Sequence, residues 1–438
     1  MSPSVDFSTE ELVVQISTLA QRLEDHYSLN PLLEMIGNAR YVLLGEASHG
    51  TSEYYTWRAR ITQRLIKEKH FDFVAVEGDW PDCYALNRYV KDYPDAGAGA
   101  PAVLRQFQRW PAWMWANWEV AAFLEWLRRY NQDTGRRVGF YGLDMYSLWE
   151  SMEAILDYLQ QRGDGEAVEA ARRAFMCFEP YNEDPQTYGW NAAFVPDNCR
   201  DEVVDLLRQM RRQAPHFDHD PEAAFSAEQN ARVAVEAERY YRAMMRGGPG
   251  SWNLRDRHMA DTLERLMELH GPQSRGIVWA HNTHVGDARY TDMAGEGMVN
   301  VGQLVREQNW EGGVAVVGFG SYYGEVIAGR AWGGAVERMS VPPARPGSWE
   351  DIMHRSLLRD KLLILRDVRG VEEMREERGH RAIGVVYRPE AERYGNYVPT
   401  LLPERYDAFL FMDETSALHP LHGSGDAARE PDLYPWGL

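Results

Sequence analysis

Lysine is almost missing from this chain of 438 residues: only Lys67, Lys69, Lys91 and Lys361 occur, and arginine supplies nearly all the positive charge. Cations are also too few to balance the acids, since 47 Lys+Arg against 66 Asp+Glu leave a formal net charge of -19. That balance argues against a nucleic-acid partner, whose binders present a basic face. It favours solubility and sets no fold. No run of about eighteen apolar residues occurs, so no membrane-spanning helix and no membrane partner are expected. The opening Met1–Asp6 is short and polar, without the basic and apolar regions of an export signal, and a cytoplasmic location is expected. Cysteine is scarce as well. Cys83, Cys177 and Cys199 are odd in number and lack metal-ligand spacing, which predicts free thiols in a reducing cytoplasm.

Several catalytic signatures are absent. There is no Gly-x-Ser-x-Gly elbow, no phosphate-cradling loop of the Walker type and no Gly-x-Gly-x-x-Gly after a strand. What the chain does contain is a recurring unit: a short apolar run that stops at an acid or an imidazole. Tyr41-Val42-Leu43-Leu44 runs into Gly45-Glu46-Ala47-Ser48-His49-Gly50, with Gly45 and Gly50 supplying backbone freedom. Phe71 to Val76 runs into Glu77-Gly78-Asp79, and Arg137 to Leu143 into Asp144. Arg275 to Ala280 runs into His281-Asn282-Thr283-His284. Gly313 to Gly318, Leu362 to Leu365, Ile383 to Tyr387 and Ala408 to Met412 read as further strands, and Gly324 to Pro346 as a surface loop or hairpin.

Helical spacing separates the early strands, as over Ser52 to Lys69, and strand–helix–strand alternation implies parallel crossover units. Residues 146–270 change to helices only. The fold class expected is therefore α/β: a central mixed, mostly parallel sheet flanked by helices, with an inserted helical cap over the rim where the strands end. Residues 1–145 form the first part of that core, 146–270 the cap, 271–420 the second part, and 421–438 a mobile tail. The aromatic stretch from Cys177 to Pro196 is expected to face substrate, with Tyr181, Tyr188 and Trp190.

Ligands of open α/β sheets bind at the carboxyl ends of the strands. If the acid-bearing strands are neighbours, Glu46, His49, Glu77, Asp144, His281 and His284 converge there, and Arg58 and Arg255 lie close enough in sequence to join them. Two chemistries suit that set. In one, a histidine takes a proton from water, a carboxylate fixes its tautomer, and a second histidine or an arginine stabilises the oxyanion. In the other, Glu-x-x-His and His-x-x-His ligate a metal that activates the water. A third reading is a ligand-binding or haem-binding protein without turnover.

Leu44-Gly-Glu-Ala-Ser-His-Gly-Thr-Ser-Glu53, Val76-Glu-Gly-Asp-Trp80, Gly142-Leu-Asp144, Asn253-Leu-Arg-Asp256 and Trp279-Ala-His-Asn-Thr-His284 together resemble the erythromycin esterase family. Later stretches add to this, Tyr387-Arg-Pro-Glu390 with Glu392-Arg393, and Arg405-Tyr-Asp407, so the resemblance runs from Arg40 to Pro420. It implies a hydrolase of esters or lactones, macrolides among them, that works without metal or other cofactor on a small-molecule substrate. His49 would be the general base, with Glu46 and Glu77 as its carboxylate partners. His284 would be the second essential histidine with His281 beside it, and Arg58 and Arg255 would complete the cleft. Asp144 and the cap aromatics would meet the substrate. Neither the natural substrate nor the oligomeric state follows from the resemblance.

Overall fold

Along the central strands, successive side chains enter opposite cores. Val42 and Leu44 join one hydrophobic cluster while Tyr41 and Leu43 join the other, and Val74 and Val76 alternate with Phe73 and Ala75 in the same way. Strands covered on both faces need apolar residues at every position, which is why these runs are continuous and not alternating. The computed structural model describes residues 7–178, 199–212, 220–309, 313–369 and 371–422. Tyr181, Tyr188 and Trp190, and the tail beyond His422, lie outside the described residues.

The strands are β1 (Gln21–Arg22), β2 (Tyr41–Leu44), β3 (Phe73–Asp79), β4 (Gly139–Asp144), β5 (Gly276–Trp279), β6 (Val314–Gly329), β7 (Val336–Val341), β8 (Lys361–Ile364), β9 (Arg378–Arg381), β10 (Tyr397–Thr400) and β11 (Ala408–Thr415). Their order in the main sheet is β1-β8-β11-β6-β2-β5-β3-β4, with β7 paired to β6. From β11 through to β4 every neighbouring pair is parallel, and β8 and β1 add antiparallel edges. The sheet is mixed and mostly parallel, as the strand–helix alternation implied. The strands that end in Glu46–His49, His281–His284, Glu77 and Asp144 are the consecutive neighbours β2, β5, β3 and β4.

Helices Leu148–Arg162, Gly165–Phe178, Arg200–Arg212 and Ala223–Met244 form the insertion between β4 and β5 and share a core of their own, built on Leu148, Ile155, Ala171, Leu206 and Tyr241 among others. The last helix of the insertion, Gly250–His270, instead buries Met259, Leu263 and Leu266 in the sheet's own core.

Three expectations are corrected. Cys177 and Cys199 are joined as a disulfide, leaving Cys83 as a buried free thiol. The pairing was hidden because 22 residues separate the two cysteines, and only the packing of two helix ends brings them together. Ile383 to Tyr387 is not a strand; it makes isolated bridges through Ile383 to Ser48 and Val386 to Gly329, while the nearby strand is β9, paired with β10. Gly45 and Gly50 serve close approach and not an unusual angle, since neither has a positive φ. A Cβ on Gly45 would meet Asn282 Oδ1 at 2.0 Å, and one on Gly50 would meet the Ile327 carbonyl at 1.9 Å.

Candidate active site

His49 sits in the turn after β2, and its Nδ1 lies 2.8 Å from Glu46 Oε1. Pairing with an ionised carboxylate keeps the proton on Nδ1 and leaves the lone pair on Nε2, the tautomer a general base needs. The other oxygen of Glu46 is 2.6 Å from an Arg58 nitrogen. Arg58 is completely buried, with its guanidinium over the rings of Tyr55 at 4.3 Å and Trp279 at 5.1 Å. It lies behind Glu46 and not on the cleft surface. The backbone is pinned on both sides: Asn282 N–H donates to the Glu46 carbonyl at 2.8 Å, and the Tyr55 hydroxyl donates to the His49 carbonyl at 2.9 Å.

His281, at the end of β5, packs its ring 4.9 Å from that of His49. The Thr283 N–H donates to His281 Nδ1 at 3.2 Å, which puts the ring proton on Nε2. That Nε2 is fully buried. Burial, and then the neighbouring His49, push the His281 pKa well below the ordinary value, so the ring is neutral. Its backbone N–H donates to Glu77 Oε2 at 2.8 Å, tying the β5 turn to β3.

Glu77 is the hub of a second network. Its Oε1 accepts from Arg255 at 2.7 Å and lies 3.3 Å from His284 Nε2. Arg255 also holds Asp144, from Nε at 3.0 Å and Nη2 at 2.6 Å. Burial opposes ionisation of Glu77, but His284, Arg255 and His49 outweigh it and hold the carboxyl well below its usual range. Asp144 is lowered in the same way, with Arg255 overcoming the cost of burial.

His284 differs in state from His281. Its Nδ1 donates to Asp256 at 2.9 Å, and Trp252 stacks on its ring at 4.6 Å and 7°. Burial alone would lower its pKa, but Asp256 and Glu77 raise it to about 9, which favours the imidazolium at neutral pH. Arg255 Nη1 then stands 3.0 Å from it as a second cation, with Glu77 Oε1 as the acceptor they share.

These groups border a cavity of about 130 Å³ lined by His49, Glu77, Asp144 and Arg255. Glu46, Arg58, His281 and His284 stand behind that lining. The cavity also has walls the strand-end pattern did not point to: Asp79, Asp82, Arg109, Tyr146, Trp115 and Trp332. Asp79 was visible two residues past Glu77, and the Trp115 indole N–H donates to the Glu77 carbonyl at 2.9 Å. Nothing in the sequence marked Trp332, which reaches the cleft from the turn between β6 and β7. Among the described residues no group of three or more His, Cys, Asp or Glu side chains is arranged to hold a metal ion. The carboxylate oxygens of Glu46 and Glu77 are engaged by arginines and histidines.

The family model described as erythromycin esterase matches residues 66–415. Glu46, His49 and Arg58 precede that match, so their roles rest on geometry. The chain is 24% identical over 284 residues to an erythromycin esterase type II of Escherichia coli, an alignment covering 60% of this chain and 64% of that one. Among solved structures, a protein described as a succinoglycan biosynthesis protein superposes with a TM-score of 0.77 at 22% identity, covering 95% of this chain and 100% of that one. A mutant of the erythromycin esterase EreC in its open conformation superposes with a TM-score of 0.64 at 16% identity, covering 90% and 97%.

Proposed function

The chain belongs to the erythromycin esterase family, and we propose that it hydrolyses a carboxylic ester or lactone with water activated by His49 and without a metal or other cofactor. One observation carries the reading: His49, with its Nδ1 proton held by Glu46, lines a cleft walled by Glu77, Asp144 and Arg255. Water in that cleft gives a proton to His49 Nε2 as its oxygen bonds to the substrate carbonyl carbon. The carbonyl oxygen becomes an oxyanion, for which the Arg255 guanidinium in the cavity lining is the nearby cation. When the carbon–oxygen single bond breaks, the departing alkoxide takes the proton from His49, and acid and alcohol are released. Among the described residues no serine or cysteine is paired with His49, which favours direct attack by water over an acyl-enzyme.

The imidazolium of His284 offers no lone pair. Its part in this scheme is to hold Glu77 ionised, so it acts through that neighbour.

The test is a hydrolysis screen over macrolides, simple lactones and aryl esters, run with His49→Ala as control and repeated after chelation. Turnover that survives chelation and is lost in the variant supports the scheme. Turnover abolished by chelator and restored by a divalent cation makes the enzyme metal-dependent instead.

A further inference from the structure

A further buried histidine and carboxylate stand outside the cavity lining, and the hydrolysis scheme uses neither. His380, on β9, is 1% exposed, and its Nδ1 lies 2.5 Å from Glu350 Oε1. Glu350 sits in the first turn of the helix Trp349–Arg355 and also accepts the Arg381 backbone N–H at 2.9 Å, which fixes the carboxylate against β9. An ionised carboxylate there keeps the ring proton on Nδ1, so His380 Nε2 carries a lone pair. That lone pair faces the Asn282 side-chain nitrogen at 3.1 Å. An amide nitrogen only donates, so His380 is the acceptor. The amide cannot be turned the other way, because its nitrogen donates to the Phe319 carbonyl at 2.7 Å and its oxygen accepts the Phe319 N–H at 3.3 Å.

Asn282 stands between His281 and His284, and it is tied to the turn that carries His49. Its backbone N–H donates to the Glu46 carbonyl, and its Oδ1 occupies the space that a Cβ on Gly45 would need. Arg405 Nη2 holds the Asn282 carbonyl at 3.0 Å. Just after His380 the same segment reaches the His49 turn directly: the Ile383 N–H donates to the Ala47 carbonyl at 2.8 Å. Residues 380–383 therefore grip both histidine-bearing turns, one through a side chain and the other through the main chain.

We propose that His380 is a positioning residue for the reaction: as a neutral acceptor it holds Asn282, and together with the Ile383 N–H it sets the separation of the His49 turn from the His281–His284 turn. Glu350 keeps the ring in the tautomer that accepts. The proposal rests on the hydrolase reading and deepens it, since it adds residues that act from outside the cavity lining.

The surroundings favour the neutral ring. Burial lowers the His380 pKa below its ordinary value; Glu350 opposes that shift, and Arg405 and Arg381 add to it. The rings of Tyr406 and Phe409 pack edge-on against His380 at 5.8 and 5.4 Å. A protonated His380 would turn an N–H toward the Asn282 N–H, two donors face to face, and the link would be lost.

Two variants separate positioning from packing. His380→Phe keeps a buried ring without an acceptor, and His380→Gln restores an acceptor at the place of Nε2, while both lose the Nδ1–H bond to Glu350. On an aryl ester that the wild type hydrolyses, His380→Phe is expected to lower kcat about 10–100-fold with KM changed by less than about twofold. His380→Gln should recover most of that loss, although urea midpoints should not follow the same order. Nitrogen-15 NMR of histidine-labelled wild type, with His380→Gln to assign the signal, should place the His380 proton on Nδ1. Full kcat in His380→Phe, or a proton found on Nε2, would overturn the proposal and leave the hydrolase standing. A His380→Gln protein slowed tenfold or more does the same, and that arm decides even where His380→Phe fails to fold. Absence of wild-type turnover on every ester and lactone overturns the hydrolase reading and this proposal with it.

Discussion

Glu46 Oε1 stands 2.8 Å from His49 Nδ1, while the other oxygen of the same carboxylate is held by a completely buried arginine. His49, the proposed base, is therefore oriented from behind by groups out of reach of solvent. His49→Ala is expected to lower kcat by about 10²–10⁴-fold, the range for removing a general base. Glu46→Gln, which keeps the shape but can stabilise the wrong tautomer, should fall between that variant and wild type. Single-turnover kinetics on a chromogenic ester checks both, and an unchanged rate in His49→Ala would remove it from the mechanism.

Arg58 is sealed below Glu46, so its loss should be felt first as stability. Arg58→Met leaves a carboxylate buried without its cation and should cost about 3–5 kcal/mol of unfolding free energy. Since Arg58 does not line the cavity, KM should move little while kcat falls with the misplaced Glu46. Urea unfolding and steady-state kinetics on the same preparation separate the two effects. A large rise in KM with unaltered stability would mean that Arg58 meets the substrate after all.

The His284–Asp256 pair gives stability a pH dependence of known sign. His284 binds its proton more tightly folded, at about 9, than at its ordinary value of 6.5. Its contribution is thus complete below about 6.5 and is lost as pH rises through about 9. The free-energy gap between wild type and His284→Gln should narrow by about 2–3 kcal/mol between pH 7 and pH 10. Urea midpoints at a series of pH values measure it, and a gap that widens with pH would show that the histidine is buried neutral.

Gly50→Ala would drive a methyl group against the backbone carbonyl of Ile327, which cannot swing away as a side chain could. The expected cost is about 1–3 kcal/mol. Activity should also fall, since His49 is the preceding residue. Thermal unfolding and kcat report on these separately, and a variant of full stability would mean that β6 has room to move.

Cys177–Cys199 closes a loop across a sequence separation of 22. By loop-closure entropy it should contribute about 3 kcal/mol to the stability of the inserted helices. A non-reducing peptide map should find the two cysteines linked and Cys83 free. Cys177→Ser should lower the unfolding midpoint, and an unlinked peptide pair in the native protein would sink this prediction.

Most of the sheet was legible because strands buried on both faces are written as unbroken apolar runs, such as Tyr41–Leu44 and Phe73–Val76. The convergence of their polar ends was legible for the same reason, since an acid or imidazole directly after such a run sits at the strand's carboxyl end. Which of those residues touch the cavity was not legible. Arg58 and Arg255 look alike in sequence, yet one is sealed and the other lines the cleft, a difference set by helix orientation and not by composition. The charge of His284 was equally hidden. It depends on Asp256, 28 residues away on another helix. Trp332 was missed because a hairpin turn brings it to the rim from outside the strand-end pattern, and Ile383 to Tyr387 was misread because a buried apolar run need not pair as a strand.

The strand order carries a consequence for how the molecule comes into being. β5 lies between β2 and β3, yet it follows β3 in the chain by nearly 200 residues, after the whole helical insertion. During synthesis the first strands therefore cannot take their final spacing; a slot one strand wide has to wait until residues 276–279 emerge from the ribosome. His49 and Glu77 acquire their separation only when that slot is filled, and His281 arrives with the filler. The nascent protein thus cannot assemble the candidate site until well over half of it has been made, and the strand that locks the sheet is also the one that completes that site.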